Sequence, residues 1–264
     1  MTTAPALFVS HGAPTFALDP GLLGPKLTRI GEGLQDLAAV AVVSAHWQTR
    51  GVQVMQTAAP ETVHDFRGFP PELYRLRYPA PGAPGMARDT AALLEAAGLK
   101  PTLENGRGID HGVWVPLLYL LPKAQVPVFQ VSLPFDLDAA GALALGKALA
   151  PLRARGVLLM GSGSLTHNLS EIGLIDPNAT QYAVEFTAWI RARVQRRDLQ
   201  ALADYRHRAP HALRAHPTEE HFLPLLVALG ASDSTDEVTV IEGGMTYGVL
   251  SMESYAFRRS SADG

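Results

Sequence analysis

The sequence predicts a single-domain α/β protein, residues 1–264, in which helices flank a central, mostly parallel or mixed sheet. The first observation is a set of charge-free apolar runs, typical of strands buried on both faces: Ala4–Ser10, Ala38–Ala45 and Gly156–Met160. The second is the alternation of strand-like and helix-like segments in the second half of the chain, as in doubly wound folds. The third is the length of 264 residues, which suits one large domain with a substantial core.

The elements of the first half follow from composition and turn residues. A turn-rich segment after His11 leads into a helix, and the second buried run ends at His46 and Trp47. A short strand is then expected to continue the sheet, and a later helix stops at a glycine cap. The expected elements are a helix over 25–36, a strand over 52–56, a helix over 86–98 and a strand over 100–104.

The segment from Ala59 to Gly85 has a different character, because it is rich in proline and carries interleaved aromatic residues. So long an irregular stretch in a compact domain usually covers a functional site. Its aromatic residues favour a lid over a flat or apolar ligand. A plain proline-rich surface crossover explains the composition equally well, and both interpretations stay open here.

Regular alternation resumes after a glycine-rich loop that contains Asp110 and His111. Helices and strands then follow one another with the lengths that βα units have. The expected helices cover 114–121, 139–152, 178–202 and 218–229. The expected strands cover 126–133, 156–160, 237–242 and 248–257, the last with alternating burial.

Composition excludes several classes of function. The net charge of −3 provides no basic field for a polyanion, so no nucleic-acid partner is expected. The absence of cysteine excludes disulfides, thiolate metal sites and a cysteine nucleophile, so any metal must be held by N and O atoms. The amino terminus lacks the pattern of a signal peptide, and no apolar run is long enough to span a membrane. We therefore expect a cytoplasmic protein without a membrane partner.

Histidines stand where the buried strands end. His11 and His46 directly follow the first two apolar runs, and His167 lies in the small-residue loop after a third. The carboxyl ends of strands in open α/β sheets meet at the crevice where ligands bind. A buried imidazole costs free energy unless it has a partner. A shared site is therefore favoured over separate core histidines bonded to the backbone.

Two further residues could complete this site. His221 is expected in the first turn of the last helix, and Glu220 beside it is a candidate oxygen donor. Two imidazoles with a carboxylate or a third imidazole, which leave some coordination positions of the metal open, are typical of a non-haem Fe(II) site or a catalytic zinc site. The interruption by Pro210 argues against a zinc helix formed by His207 and His211, which we interpret as surface residues.

Seven short motifs, in order, resemble one known family over nearly the whole chain. The family is that of the DODA-type, LigB-like class III extradiol ring-cleavage dioxygenases. No single motif is specific, but their common order is. The motifs are Ser10–Thr15, Ser44–Trp47, His64–Pro70, Tyr78–Gly82, Asp110–Trp114, Gly161–Asn168 and Glu220–Pro224.

The resemblance implies a non-haem metal held by His11, His46 and His221. It implies that His167 is either a fourth metal contact or an acid/base group, and that His111 is an acid/base group on the substrate side. Glu220 stays an alternative third ligand, because the wider superfamily uses a glutamate. The closing segment 247–252 also resembles the family, with valine at 249 in place of a small polar residue.

The implied reaction is the opening of a catechol ring by O₂ to give a semialdehyde. Fe(II) is the metal expected for activity, and Zn(II) is expected to compete for the site in a purified sample. The expected partners are a small aromatic diol and O₂, in a monomer or a small homo-oligomer. Ordinary packing is the alternative for each aromatic residue expected to wall the ring. The substrate-binding candidates are Trp47, His64, Phe66, Phe69 and Tyr74.

Three other functions compete with this one. A zinc hydrolase could use the same imidazoles to activate water. A non-enzymatic binding relative would be expected to have lost part of the ligand set, yet all the histidines are present. A serine hydrolase built on Gly161–Ser164 is conceivable, but this run lacks the nucleophile-elbow pattern.

Overall fold

Strands and helices alternate along the described chain, residues 3–173 and 177–259 of the computed structural model. The strands are β1 Ala6–Ser10, β2 Ala39–Ser44, β3 Gln48–Thr49, β4 Gln53–Met55, β5 Thr102–Glu104, β6 Val128–Gln130, β7 Leu133–Pro134, β8 Val157–Gly163, β9 Asp236–Ile241, β10 Met245–Thr246, β11 Leu250–Ser251 and β12 Ser254–Arg259. The α-helices are α1 Leu23–Glu32, α2 Pro84–Ala96, α3 His111–Leu120, α4 Ala139–Leu149, α5 Pro177–Gln195, α6 Leu199–Ala203, α7 Tyr205–Arg208, α8 Ala212–Ala215 and α9 Leu223–Gly230.

The central sheet has six strands in the order β6, β2, β8, β1, β12, β9. The first four are parallel, β12 runs antiparallel to β1, and β9 runs antiparallel to β12. The strands β1, β2 and β8 are buried along their whole length, which explains their continuous apolar runs. The predicted fold class, an α/β domain with a mostly parallel or mixed sheet flanked by helices, is confirmed.

The carboxyl ends of β1, β2 and β8 align at one edge of the sheet. Ser10 of β1 pairs with Gly163 of β8, and Ser44 of β2 pairs with Ser162 of β8. The residues that follow β1 and β2 therefore leave the sheet side by side. In sheets of this kind that edge forms a crevice, because the connecting loops diverge there.

Two helices cover opposite faces of the sheet at this edge. A Cβ atom on Gly161 would lie 2.0 Å from the carbonyl oxygen of Pro224, so α9 packs directly on the backbone of β8. The next residue, Ser162, instead donates to the carbonyl oxygen of Gly112 in α3. Successive residues of a strand point to opposite faces. The helices α9 and α3 therefore lie on opposite faces and bring their first residues to the same edge.

The prediction of one long helix over 178–202 is wrong. The chain instead forms α5 and α6, separated by a short turn. Arg197 in this turn has a φ of 52°, which an α-helix does not permit. Asp198 then caps α6 by accepting the backbone N–H of Ala201 at 3.1 Å. Among the described helices, none combines the length and apolar character needed to cross a bilayer.

Two helices beside the edge begin at residues other than those predicted. The helix α3 begins at His111 rather than 114, because Asp110 before it has extended backbone angles and occupies the N-cap position. The helix α9 begins at Leu223 rather than 218, with Pro224 in its first turn, where proline is favoured. The sequence predicted that Glu220 and His221 open this helix, with His221 in its first turn. This prediction is wrong, because both residues precede α9.

Some strands also differ from the prediction. The strand β4 does not continue the central sheet but pairs with β5 in a small parallel sheet. The predicted strand over 126–133 is divided into β6 and β7, and the one over 248–257 into β11 and β12. Burial does not alternate in β12, which is buried from Ser254 to Phe257 because it lies between β1 and β9 inside the sheet.

The segment 59–85 is irregular, as expected, up to the start of α2 at Pro84. It contains one 3-10 turn, Leu73–Arg75. Its first part is nevertheless fixed to the loop before α3. The N–H of Val63 donates to the carbonyl of Ile109 at 2.8 Å, and the N–H of Ile109 donates to the carbonyl of Glu61 at 2.8 Å.

Candidate active site

Three histidines from distant parts of the chain converge at the carboxyl edge of the sheet. His11 directly follows β1, His46 lies two residues after β2, and His221 precedes α9. The Nε2 atoms of His11 and His46 are 3.0 Å apart, and one ring nitrogen from each of the three histidines lies within 4.8 Å of the other two. The structure thus brings together the three residues that the sequence proposed as ligands.

Hydrogen bonds fix the orientation of the His11 ring. Ser162 donates its hydroxyl proton to the carbonyl oxygen of Gly112. Its oxygen therefore accepts a proton from His11, whose Nδ1 lies 2.9 Å away. A neutral imidazole carries a single N–H. The Nε2 atom of His11 consequently keeps its lone pair, directed towards His46.

The His221 ring is held in a similar way. Its Nδ1 lies 3.0 Å from the carboxylate Oε1 of Glu220, while its Nε2 is buried without a hydrogen-bond partner among the described residues. A buried nitrogen without a partner costs free energy, and lone pairs that face one another add repulsion. A metal ion between the rings would remove both costs. The donor set therefore fits an N/O metal centre such as Fe(II) or Zn(II).

Glu220 lies on one side of this cluster. Within the described part of the chain, its carboxylate forms a possible ligand group with His167 and His221 but not with His11 and His46. It also accepts the hydroxyl of Thr218 at 3.0 Å. A carboxylate that bonds to the Nδ1–H of a ligating histidine is a common outer partner in metal sites. This geometry favours His221 as the third ligand and Glu220 as its orienting partner.

His111 stands next to the cluster at the first position of α3. Its ring centroid is 4.0 Å from that of His46 and 5.3 Å from that of His11. Asp65 accepts two hydrogen bonds from it, one from the ring Nδ1 and one from the backbone N–H, both at 2.9 Å. The second carboxylate oxygen of Asp65 is 3.6 Å from Nδ1 of His46.

His167 also reaches the cluster. Its ring is stacked on that of His221, with centroids 3.5 Å apart and planes within 9° of parallel. It is partly exposed to solvent, and its backbone N–H is fixed by the carbonyl of Ala215 at 2.8 Å. An imidazole in this place can exchange a proton with a molecule in the crevice.

The protonation states suit a metal centre. Burial, together with the neighbouring imidazoles, lowers the pKa of His11 and His221 well below 6.5, and it lowers the pKa of His46 to about 3. These three rings are neutral at neutral pH, the state that binds a metal. Burial raises the pKa of Asp65, but hydrogen bonds from His111 outweigh it and bring the pKa to about 2. Asp65 is therefore a carboxylate.

Four of the five predicted substrate-binding residues form one aromatic cluster in the segment 59–85. Phe66 is its centre, because its ring centroid lies 5.4 Å from that of Phe69, 5.2 Å from Tyr74, 5.6 Å from His64 and 5.7 Å from His111. This contact with His111 joins the aromatic cluster to the histidine site. The segment is therefore placed as a wall or lid would be.

Among the described residues, the ring of Trp47 makes no ring–ring contact with this aromatic cluster. Its buried ring is instead covered by the guanidinium of Arg107, whose Cζ is 5.0 Å from the ring centroid. Arg107 is held in turn by the carboxylate of Asp110 at 2.9 Å and by the carbonyl of His46 at 3.2 Å. Trp47 thus supports the loop that carries His46.

The remaining histidines lie outside the site. His207 bonds to Asp204 and His211 to Glu185 at the surface, as the sequence predicted. His216 is fully buried and donates Nε2–H to the carbonyl of Leu165 at 2.9 Å.

Two residues at the site were given no role by the sequence, Asp65 and Ser162. A polar side chain at the end of a buried apolar strand needs a partner, and that signal could have singled out Ser162, between two glycines. Asp65 carries no such signal, because its contacts come from tertiary structure. Ser162 is also 0% exposed and donates its proton to a carbonyl, so it is not placed to act as a nucleophile.

Neutral imidazoles at the carboxyl edge of a mostly parallel sheet, beside a histidine held by a carboxylate, define an α/β enzyme with a candidate metal centre. Residues 25–258 match the family described as the catalytic LigB subunit of aromatic ring-opening dioxygenase. The chain belongs to the LigB family. The predicted resemblance and the predicted enzyme class, a ring-cleaving dioxygenase and thus an oxidoreductase, are confirmed.

Relatives are similar to this chain over nearly its whole length. It is 37% identical to 4,5-DOPA dioxygenase extradiol of Beta vulgaris over 254 residues, which are 95% of each chain. It is 37% identical to the protein of the same name from Escherichia coli K12 over 258 residues, 96% of this chain and 94% of the relative. The crystal structure of an uncharacterized Escherichia coli K12 protein matches with a TM-score of 0.77 and 31% identity, covering 96% of this chain and 99% of that one.

The buried histidines make the stability of the metal-free protein depend on pH. Burial lowers the pKa of His216 to about 3 in the folded protein, whereas an unfolded histidine titrates near 6.5. Below pH 6.5 the unfolded chain therefore binds more protons, and the free energy of unfolding falls. For His216 alone we expect a loss of about 2 kcal/mol between pH 7 and pH 5.

Urea denaturation of chelator-treated protein at these two pH values measures the effect. The His216→Gln variant keeps a donor for the carbonyl of Leu165 but does not titrate, so its stability should depend less on pH than that of the wild type. The surface variant His207→Ala serves as the control. Equal pH dependence in wild type and His216→Gln would contradict this account.

Proposed function

We propose that this protein is a metal-dependent extradiol dioxygenase that opens the ring of a small catechol, of the DOPA type, with O₂ and Fe(II). The observation that carries the proposal is the convergence of three buried or partly buried imidazoles, from His11, His46 and His221, with one ring nitrogen of each within 4.8 Å of the other two. A bound Fe(II) ion would supply the redox chemistry that lets a closed-shell catechol react with O₂. The protein contributes binding, orientation and proton transfer.

In this proposal His111 is the base on the substrate side. Asp65 holds its Nδ1–H, so the ring presents an unprotonated Nε2. No described residue bonds to that Nε2. It can accept a phenolic proton from a catechol beside the metal centre and so act as a general base.

His167 is the proposed acid/base partner later in the reaction. Its ring stacks on His221 and is reached by solvent, so it can receive a proton and return it to an oxygen of the opening ring. Burial lowers the pKa of His167, which makes its imidazolium a stronger acid than a free imidazolium. A direct contact with the metal is the alternative role.

The flat substrate would lie against the aromatic cluster. The ring centroid of Phe66 lies 5.4 Å from that of Phe69, 5.2 Å from that of Tyr74 and 5.7 Å from that of His111. Offset or edge-to-face contacts with an aromatic ring are favourable at such distances. The names of the relatives from Beta vulgaris and Escherichia coli support a DOPA-type catechol.

Anaerobic reconstitution tests the proposal. Chelator-treated protein is loaded with Fe(II) or with Zn(II), mixed with DOPA or another catechol, and then exposed to air. We expect the Fe(II) form to consume one O₂ per catechol and to produce a yellow semialdehyde, and the Zn(II) form to consume none. Absence of O₂ uptake with every catechol, combined with ester hydrolysis by the Zn(II) form, would instead establish the zinc hydrolase.

A further inference from the structure

We propose that Asp65 is a positioning residue for ring opening: its carboxylate fixes His111 with Nε2 free for the substrate and, at the same time, orients His46. This inference rests on the proposed function of the site. It concerns a residue outside the histidine set and in the irregular segment 59–85. Its support comes from three contacts that one side chain makes.

The first two contacts are with His111. The same oxygen, Oδ1, accepts from the ring Nδ1 and from the backbone N–H, each at 2.9 Å. A carboxylate can only accept hydrogen bonds, so the proton of a neutral His111 must be on Nδ1 and the lone pair on Nε2. The backbone bond also satisfies one of the free N–H groups at the start of α3, where a negative charge is favourable. The carboxylate is therefore held in place by the helix itself.

The third contact is with His46. Oδ2 of Asp65 is 3.6 Å from Nδ1 of His46, too far for a hydrogen bond but close enough for a charge to favour a proton on that nitrogen. The other nitrogen, Nε2, then faces Nε2 of His11 at 3.0 Å. One carboxylate thus sets the tautomer of a proposed base and of a proposed ligand.

The backbone around Asp65 is fixed independently of its side chain. Val63 donates to the carbonyl of Ile109, and Trp114 donates its Nε1–H to the carbonyl of Val63, each at 2.8 to 2.9 Å. Loss of the carboxylate should therefore leave the segment in place. It should change the tautomer and the orientation of the histidine rings but not the fold. The proposal can therefore be tested by substitution.

The test compares Asp65→Asn with the wild type and with Asp138→Asn. Asp138 also accepts a backbone N–H at the start of a helix, from Gly141 of α4 at 2.7 Å, but lies away from the histidines. It is therefore a matched control for loss of a helix-capping charge. Thermal melting of all three proteins checks the fold.

The first readout is the ¹⁵N NMR spectrum of histidine-labelled, metal-free protein, which distinguishes Nδ1–H from Nε2–H rings. We expect His111 to be an Nδ1–H tautomer in the wild type and in Asp138→Asn, and a mixture in Asp65→Asn. The second readout is steady-state kinetics of the Fe(II) form. Because loss of an outer partner typically costs 10–100-fold, we expect kcat of Asp65→Asn to fall by about that factor. KM should change much less, and Asp65→Glu should recover part of the loss.

An unchanged His111 tautomer together with an unchanged kcat in Asp65→Asn would overturn the proposal. So would an equal fall of kcat in Asp138→Asn, since the effect would then come from helix capping. The NMR result needs no catalysis. If the wild type opened no catechol but the tautomer changed as expected, only the proposed function would be wrong.

Discussion

Replacement of His11 or His46 by alanine should abolish metal binding and lower the rate of ring opening by well over 100-fold. Loss of an outer partner of a metal site already costs about 10–100-fold, and loss of a ligand costs more. Each variant also removes one of the nitrogens that are 3.0 Å apart at the centre of the cluster. The metal content after Fe(II) loading and the initial rate of O₂ uptake measure the two effects.

The control is His207→Ala, because this histidine is 85% exposed and bonds only to Asp204 among the described residues. It should bind Fe(II) and turn over as the wild type does. Full turnover by His11→Ala or His46→Ala would refute the ligand assignment.

The same assay identifies the third ligand. We expect His221→Ala to lose the metal as completely as His11→Ala. Glu220→Gln should bind the metal more weakly but still bind it, since Glu220 acts through His221. The reverse pattern would make Glu220 the ligand.

His167→Ala should keep the metal but lose turnover by about 10² to 10⁴-fold, the usual contribution of a general acid or base. The reason is the position of His167. Among the described residues, its ring forms a possible ligand group with Glu220 and His221, but not with His11 and His46. Metal content and O₂ uptake are again measured in parallel. Added imidazole should restore part of the rate, because the space left by the ring is accessible from the crevice.

A parallel loss of metal and activity in His167→Ala would contradict the acid/base role and make His167 a fourth ligand. The variant His211→Ala is a matched control, since His211 is a surface residue bonded to Glu185. It should retain both metal and turnover.

Much of the fold and the central part of the site could be predicted from the sequence, because both depend on local patterns. Strands buried on both faces have charge-free apolar runs, and a histidine directly after such a run must emerge at the sheet edge. This was sufficient to place His11 and His46 together. Pro210, between His207 and His211, was a separate local signal that excluded these two residues from a metal site.

The rest depends on contacts that no local pattern contains. The break between α5 and α6 comes from the positive φ of Arg197, a residue that otherwise suits a helix. The role of Asp65 depends on its meeting His111, which lies 46 positions later in the chain. The close packing of residues 221–224 on Gly161 and Gly163 of β8 is likewise a tertiary contact that the sequence around His221 does not show.

Two of the histidines at the centre of the site, His11 after β1 and His221 before α9, lie 210 positions apart in the chain (221 minus 11). An ion bound by them would link these regions in the way that a covalent cross-link does, in a protein that has no cysteine for a disulfide. At a free metal concentration 100 times the dissociation constant, such an ion would stabilise the native state by about 2.7 kcal/mol. The Fe(II) proposed for this site would then contribute to the stability of the fold as well as to catalysis.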